Sequence, residues 1–305
     1  MSTELAVELQ QITKTFGKHR AVNDVSLQVP EGAIYGFIGP NGSGKTTTLR
    51  MIMNIIYPDQ GQINVFGSNR LGSATDDIGY LPEERGLYRK MKLKDVLRFY
   101  AELKGARKPQ ANIERWLEKL DLAKWAGEKV QTLSKGMAQK AQFIATIVSE
   151  PRLIILDEPF SGLDPINTNV LLDAILELRR DGATIIFSTH DMNTAERVCD
   201  TIFMIHKGRK VLDGTLSDIQ SEYALDTIQL RCARPLQNPH RLPGVLNVQD
   251  FGQVQELRLA PDTDPQGILK QVVKENEVIQ FQIMKPTLHD IFVRIAGTEE
   301  EVAHA

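Results

Sequence analysis

The apolar positions fall into short β-type runs early in the chain and into alternating strand and helix patterns later. LAVELQ, VSLQV and AIYGFIG, between residues 5 and 38, are β-rich and separated by the turn signals FGK and PEG, which predicts an antiparallel opening to a sheet. From Gly39 onward, strand-like runs alternate with helical stretches: LRMIMNII, LKDVLRFYAELKG, Lys135 to Ser149 and Asn167 to Arg180. In the last of these, Val170, Leu171, Ala174, Ile175 and Leu178 share one face at helical spacing. LIIL at 153–156 and ATIIF at 183–187 are unbroken apolar runs, as expected of central strands covered on both faces. The pattern predicts an α/β architecture with a largely parallel core sheet. TIFMIHKGRKVLDG reads as a hairpin turning at Lys207 and Gly208.

Beyond Asp218 the texture changes. PLQNPHRLPG places three prolines between the β-like runs DTIQLRC and VLNVQD. The order that follows, strand, polar segment, strand, strand (VQELRLA), helix (PQGILKQVVKEN), strand (VIQFQIM) and helix (TLHDIFVRIAG), predicts a small α+β domain of split βαβ, ferredoxin-like type. The expected division is residues 1–218 for the larger domain and 219–305 for the smaller. Leu288, Ile291 and Phe292 read as core of the smaller one, and TEEEVAHA as a frayed tail.

Composition narrows the possibilities without choosing among them. An apolar share of 42% and a charged share of 25% in 305 residues are those of a soluble globular chain. With 36 Lys plus Arg against 39 Asp plus Glu, a net charge of -3 gives no electrostatic case for nucleic acid as a partner. The longest apolar runs fall short of the ~20 residues of a membrane helix, so the chain is not expected to span a bilayer. MSTELAVELQ lacks the basic and apolar segments of a secretory signal, which implies a cytosolic setting. Cys199 and Cys232 stand apart and suggest neither a disulfide framework nor a zinc site.

Candidate chemistry begins at GPNGSGKT, which is Gly39, Pro40, Asn41, Gly42, Ser43, Gly44, Lys45 and Thr46, followed by Thr47. It matches GxxxxGK[ST] in full, between a β-rich run and a helical one. Glycines let backbone N–H groups turn toward the β- and γ-phosphates of a nucleotide, Lys45 adds a point charge, and Thr46 offers a hydroxyl to Mg²⁺. A glycine-rich turn with a surface lysine is the bland alternative, which the complete spacing disfavours. LIILDEP closes a buried-type strand with two carboxylates, and a buried carboxylate needs a partner. Beside a phosphate loop, Asp157 has that partner in nucleotide-bound Mg²⁺, and Glu158 is placed to polarise a water for in-line attack. Two hydrated acids at a fraying strand end are the weaker reading.

GPNGSGKTT, LSKGM, LIILDEP, SGLD and STH, in that order, resemble the ATP-binding subunit of an ABC transporter over about the first two-thirds of the chain. The resemblance implies a phosphate-loop ATPase cassette with an antiparallel β subdomain and a helical subdomain. It also implies ATP and Mg²⁺ as cofactors and a head-to-tail homodimer with two ATP between the subunits. LSKGM resembles the family signature LSGGQ, with Lys135 and Met137 replacing a Gly and the Gln; Ser134 and Gly136 would reach the γ-phosphate bound by the second copy. Ser134 would also cap a helix, and the two roles are compatible. His190, after ATIIFST, stands where the family places a histidine that contacts the γ-phosphate; alone it would read as a half-buried strand-end residue. Asp164 in SGLD resembles a residue that communicates across the dimer, and equally fits a helix N-cap. Phe16, in KTFG, lies where the family stacks an aromatic on adenine, with a core phenylalanine the competing reading.

PEERGLY and the closing KPTLHDIFVRIAG resemble ATP-binding subunits of bacterial sodium and drug exporters that pair with type-two permeases. The implied function is an ATPase that powers export through a separate membrane permease, held at the cytoplasmic face of the cell membrane. A soluble ABC ATPase acting on ribosomes or DNA is the alternative; such proteins usually carry two cassettes or long insertions, whereas this sequence shows one cassette, neither insertion and no basic charge balance. A regulator that uses ATP only to hold a dimer together is a third reading, against which Glu158 argues. In IGYLPEERGLY, Glu83 stands where the family usually has a Gln that supplies an oxygen to Mg²⁺ and to the attacking water. The oxygen survives, now with a charge that favours Mg²⁺ and repels Asp157 and Glu158. The charge is therefore expected to tune coupling to the transport cycle; a Glu83→Gln variant with unchanged ATP turnover, metal dependence and permease-stimulated activity would remove any special role for it.

Overall fold

The computed structural model describes residues 4–69, 77–84, 86–106, 109–223, 227–261 and 263–303, with side chains through 295 in the last helix. Two compact units divide the chain, Met1–Leu216 and Ser217–Ala305.

In the first unit β1 (Leu5–Phe16), β2 (His19–Pro30) and β4 (Gln60–Val65) form an antiparallel sheet in the order β2-β1-β4. β3 (Ile34–Ile38), β5 (Ile78–Leu81), β6 (Leu153–Asp157), β7 (Thr184–Thr189), β8 (Thr201–His206) and β9 (Arg209–Gly214) form the second sheet, in the order β5-β6-β7-β3-β8-β9. Pairing is parallel from β5 through β8 and antiparallel at the β9 edge. The run AIYGFI, expected to continue the antiparallel opening, instead supplies β3 in the middle of the parallel sheet. Five fully buried residues in succession explain why, because a strand covered on both faces has no polar side to expose.

Alternation within the parallel strands sends side chains to two different cores. Ile154, Leu156, Ile185 and Phe187 join α2 (Leu93–Leu103), α3 (Gln110–Lys119), α4 (Lys135–Ile147) and α5 (Pro165–Arg180) on one face. Leu153, Ile155, Ile186, Phe37 and Phe203 face the antiparallel sheet and α1 (Lys45–Ile52) on the other. α5 buries Leu171, Ala174, Ile175 and Leu178, and α6 (Met192–Val198) follows β7. The β8-β9 hairpin turns at Lys207 and Gly208, both at positive φ (46° and 76°), as a type I′ turn requires.

α7 (Leu216–Glu222) spans the unit boundary. β10 (Thr227–Cys232), β11 (Val245–Asp250), β12 (Gln255–Leu259) and β13 (Val278–Met284) then form an antiparallel sheet in the order β11-β12-β10-β13. Numbered within the unit this is 2-3-1-4, the ferredoxin-like order, with a 3₁₀ turn at Pro239–Arg241 where the first crossover helix would stand. α8 (Pro265–Glu275) buries Ile268 and Val272 against Ile228, Leu230, Leu257 and Leu259. α9 (Leu288–Ala303) buries Leu288 and Ile291, while Phe292 is only partly covered. Its helical backbone takes in most of the segment expected to fray; the tail's side chains, with residues 304–305, lie outside the described residues.

Close approach of α4 to β5 depends on Gly79, where a Cβ would lie 2.5 Å from the Thr146 carbonyl oxygen and 2.9 Å from Pro151 Cγ. Gly79→Ala is expected to destabilise the chain by about 1–3 kcal/mol in urea denaturation, since backbone cannot retreat as a side chain does. Gly127→Ala, which adds a methyl to open space, should change stability by less than ~0.5 kcal/mol.

Candidate active site

Strand order brings the carboxyl ends of β6, β7 and β3 side by side, and the chemically able residues sit on or just past those ends. The loop from Gly39 to Gly44 leaves β3 with Gly39, Gly42 and Gly44 at φ 151°, 77° and 113°. A Cβ on Gly39 would lie 2.2 Å from Ile205 O, and one on Gly44 2.4 Å from Ala21 O. The β8-β9 turn pins the loop further, with Gly208 N donating to Ser43 O at 2.9 Å. α1 starts at Lys45 with no side-chain cap, so its first N–H groups are available to an anion. Thr46 and Thr47, half-buried, occupy that first turn, whereas Asn41 and Gly42 are exposed.

Lys45, only 6% exposed, donates Nζ to Gly39 O at 2.7 Å and to Pro40 O at 3.2 Å, and lies 4.0 Å from Glu158 Oε1. Burial pulls this ammonium below the ordinary lysine range, while the charges of Glu158, Asp157 and Glu83 pull the other way. Asp157 is 1% exposed. Its Oδ1 accepts a hydrogen bond from the Ser188 hydroxyl, its register partner in β7, and its Oδ2 is buried with no hydrogen-bond partner. Glu158 turns sharply out of the strand at φ 50°; its N–H faces Ser188 O and Oγ, each at 3.2 Å. Its Oε1 lies 3.0 Å from His190 Nδ1. His190 is well exposed, not half-buried, since it stands past the end of β7.

The residues present fit Mg²⁺. Asp157 keeps a buried carboxylate oxygen without a partner and its charge acts on Lys45 of the phosphate-type loop, and Mg²⁺ is commonly held by one or two carboxylates together with substrate phosphates. Among the described residues no group of three His, Cys, Asp or Glu forms an all-protein cage, which that mode of binding does not need. Glu83, exposed beyond β5, completes the carboxylate set that acts on Lys45.

Other predicted residues lie apart from this cluster. Ser134 caps α4 by accepting from Met137 N at 3.3 Å, and Asp164 caps α5 by accepting from Asn167 N at 3.0 Å. The signature sits against the SGLD loop of its own chain: a Cβ on Gly162 would be 2.5 Å from Lys135 Cε, and one on Gly136 3.5 Å from Leu163. Lys135, itself exposed, runs its side chain alongside Gly162 of that loop. Among the described residues no hydrogen bond or ion pair joins Ser134 or Gly136 to the phosphate loop. Phe16 ends β1 half exposed, with Lys14 Nζ 5.6 Å from its ring centre, so it is not a core residue.

Three residues matter here that motif reading passed over. The Ser188 hydroxyl donates to the Asp157 carboxylate and accepts from the Glu158 backbone N–H. Gln139 donates to Pro159 O at 3.0 Å, just after Glu158, and Gln142 donates to Pro82 O and Glu84 O on either side of Glu83. A signal existed for the last two, since Gln139, Gln142 and Thr146 recur at three- and four-residue spacing among the apolar residues of one helix.

Residues 22–161 match the family described as ABC transporter, and residues 214–296 match that described as the ATP-binding protein DrrA1-3-like, C-terminal domain. The uncharacterized ABC transporter ATP-binding protein YhaQ of Bacillus subtilis (strain 168) is 37% identical over 96% of this chain and 99% of its own. The Nod factor export ATP-binding protein I of Burkholderia lata is 30% identical over 96% of this chain and 97% of its own. A solved structure of the ATP binding subunit of an ABC transporter is 34% identical with a TM-score of 0.66, covering 72% of this chain and 93% of that one.

Ser188→Ala removes the donor to Asp157 and is expected to lower the unfolding free energy by about 1.5–3 kcal/mol, the range for hydrogen bonds to charged groups. An unchanged urea midpoint would show that the buried carboxylate does not depend on that hydroxyl.

Proposed function

The chain belongs to the ABC transporter family as an ATP-hydrolysing, ATP-binding subunit, and from that premise we propose that it drives export through a separate membrane permease as a head-to-tail homodimer. The observation that carries the catalytic part is the gathering of Lys45, Asp157, Glu158 and His190 at adjacent strand ends, with one Asp157 oxygen buried and unpartnered.

Gly39 to Thr47 wrap the β- and γ-phosphates with backbone N–H groups, and Lys45 adds its charge. Thr46, Asp157 and Glu83 would hold Mg²⁺, which would offset the charge of the triphosphate. Glu158 accepts a proton from the water that attacks the γ-phosphorus as the bond to the ADP oxygen breaks. His190, hydrogen-bonded to Glu158 Oε1, keeps that carboxylate in place and meets the γ-phosphate. Phe16 offers a flat exposed ring to adenine.

Ser134 and Gly136 complete the site of the second copy. That no hydrogen bond or ion pair ties them to their own phosphate loop among the described residues is consistent with this reading, and the helix N-terminus on which they sit supports it. Asp164, beside them in the same loop system, then lies at the seam between copies.

Export is supported by the C-terminal match to DrrA-like proteins and by the Nod factor export relative, neither of which concerns ribosomes or DNA. No described helix is long and apolar enough to cross a membrane, so the translocation path requires a partner. An apolar groove of about 270 Å³, lined by Tyr80, Leu87, Tyr100 and Leu103 among others, supports docking of that permease. Tyr88, Phe99 and Tyr100 form a ring cluster nearby, with Tyr88 and Phe99 exposed. Residues 1–218 act as the cassette and 219–305 as an accessory domain, the whole held at the cytoplasmic face of the membrane by the permease.

Glu158→Gln is expected to retain ATP binding, to accumulate as an ATP-dependent dimer in size-exclusion chromatography, and to lose about 10²-fold or more in turnover. Turnover equal to that of the parent chain would reject Glu158 as the base. Vesicles containing both the chain and its permease should move cargo outward only with ATP.

A further inference from the structure

Glu83 itself is exposed, yet the backbone on both sides of it is gripped from another element. Gln142, 5% exposed in the middle of α4, donates Nε2 to Glu84 O at 3.0 Å and to Pro82 O at 3.3 Å. Its Oε1 accepts from Gly86 N at 3.4 Å. One carboxamide therefore engages three backbone groups of a single loop. A turn further along, Thr146 Oγ1 lies 3.4 Å from Tyr80 O at the end of the strand from which the loop departs, and 3.0 Å from Gln142 O, the nearer acceptor for its one proton.

Packing alone does not account for a glutamine at this position. Its helical neighbours Ala141, Phe143, Ile144 and Ala145 are all buried, and a leucine would fill a similar volume without an amide to desolvate. What the amide adds is direction: two carbonyls and one N–H are held at fixed points, and the residue between those carbonyls is Glu83. α4 also begins immediately after Ser134, about two helical turns before Gln142, so one rigid rod carries the signature and the grip on this loop.

We propose that Gln142 is a positioning residue for the ATPase site, fixing the backbone of Glu83 so that its carboxylate is held in reach of the magnesium of bound nucleotide. The proposal rests on the reading of Glu83 as a metal ligand. Gln142 touches no reacting atom; it acts through the loop, as groups hydrogen-bonded behind a metal ligand orient that ligand.

The test uses the full chain and two measurements that need no turnover. The first is the Mg²⁺ concentration for half-saturation of binding of a non-hydrolysable ATP analogue, in the parent, Gln142→Leu, Glu83→Ala and the double variant. The second is exchange of the Gly86 amide in the absence of nucleotide. Gln142→Leu is expected to raise the half-saturating Mg²⁺ about tenfold and to speed Gly86 exchange, and to add nothing further in the Glu83→Ala background. Should Gln142→Leu not fold, Gln142→Glu keeps the volume and the acceptor for Gly86 N–H while losing both donors. A Mg²⁺ shift that adds in full to that of Glu83→Ala would mark a general structural effect and overturn the proposal. So would a shift in Glu83→Ala with none in Gln142→Leu, or Gly86 exchange unchanged by the substitution. If Glu83→Ala leaves the Mg²⁺ requirement untouched, the metal-ligand reading falls first and the proposal with it.

Discussion

A carboxylate sealed at the end of a strand of leucines and isoleucines is the constraint on which the rest of the site depends. Asp157 cannot be left unsatisfied at 1% exposure, and the parallel register of β6 with β7 sets the Ser188 hydroxyl opposite it. Because β3 is the next strand over, the same pairing brings the phosphate-type loop to the same edge. The remaining oxygen of Asp157 is then committed to whatever lies between the strand ends and the loop. A different strand order would bury the same acid beside apolar neighbours, where it would cost several kcal/mol.

Rigidity on both sides of the sheet makes that juxtaposition durable. Side chains alternate between a helical core and an antiparallel-sheet core, so neither face of β6 or β7 can shift without opening a packed interior. Helix α4 has a further duty, since its buried Gln139 and Gln142 reach the loops after β6 and β5. The loops carrying Glu158 and Glu83 are thereby referenced to one rod, independently of their own sequence.

How much of this is legible in the sequence follows from whether the partner is close along the chain. The phosphate-type loop and the acidic strand end announce themselves because all their parts lie within a few residues, and so does the type I′ turn at Lys207 and Gly208. The caps at Ser134 and Asp164 are legible for the same reason. β4 escaped notice because QGQINV is half solvent-facing and takes its strand character from pairing with β1, about fifty residues away. The placement of AIYGFI in the parallel sheet was equally hidden, since a short apolar run does not state its neighbours. Ser188 and Gln142 hold partners 31 and 58 residues away, and a serine or glutamine gives no sign of which distant carboxylate or carbonyl it will meet. The spacing of polar residues on α4 was the one available clue, pointing to a polar stripe but not to its destination.

Adjacent carboxylates raise a geometric difficulty that the backbone resolves. Along an extended strand, neighbouring side chains point to opposite faces, so two successive acids would not address one ligand. Glu158 escapes by leaving the β region at φ 50°, a conformation that costs a non-glycine residue about 1–2 kcal/mol. The cost is offset where Glu158 N–H meets both Ser188 O and Ser188 Oγ. The same serine hydroxyl that satisfies Asp157 therefore helps hold the bend that swings Glu158 toward Lys45 and His190. Strain of this kind persists only where the surroundings over-determine it, and here it turns two acids with opposed directions into a pair whose charges both act on Lys45.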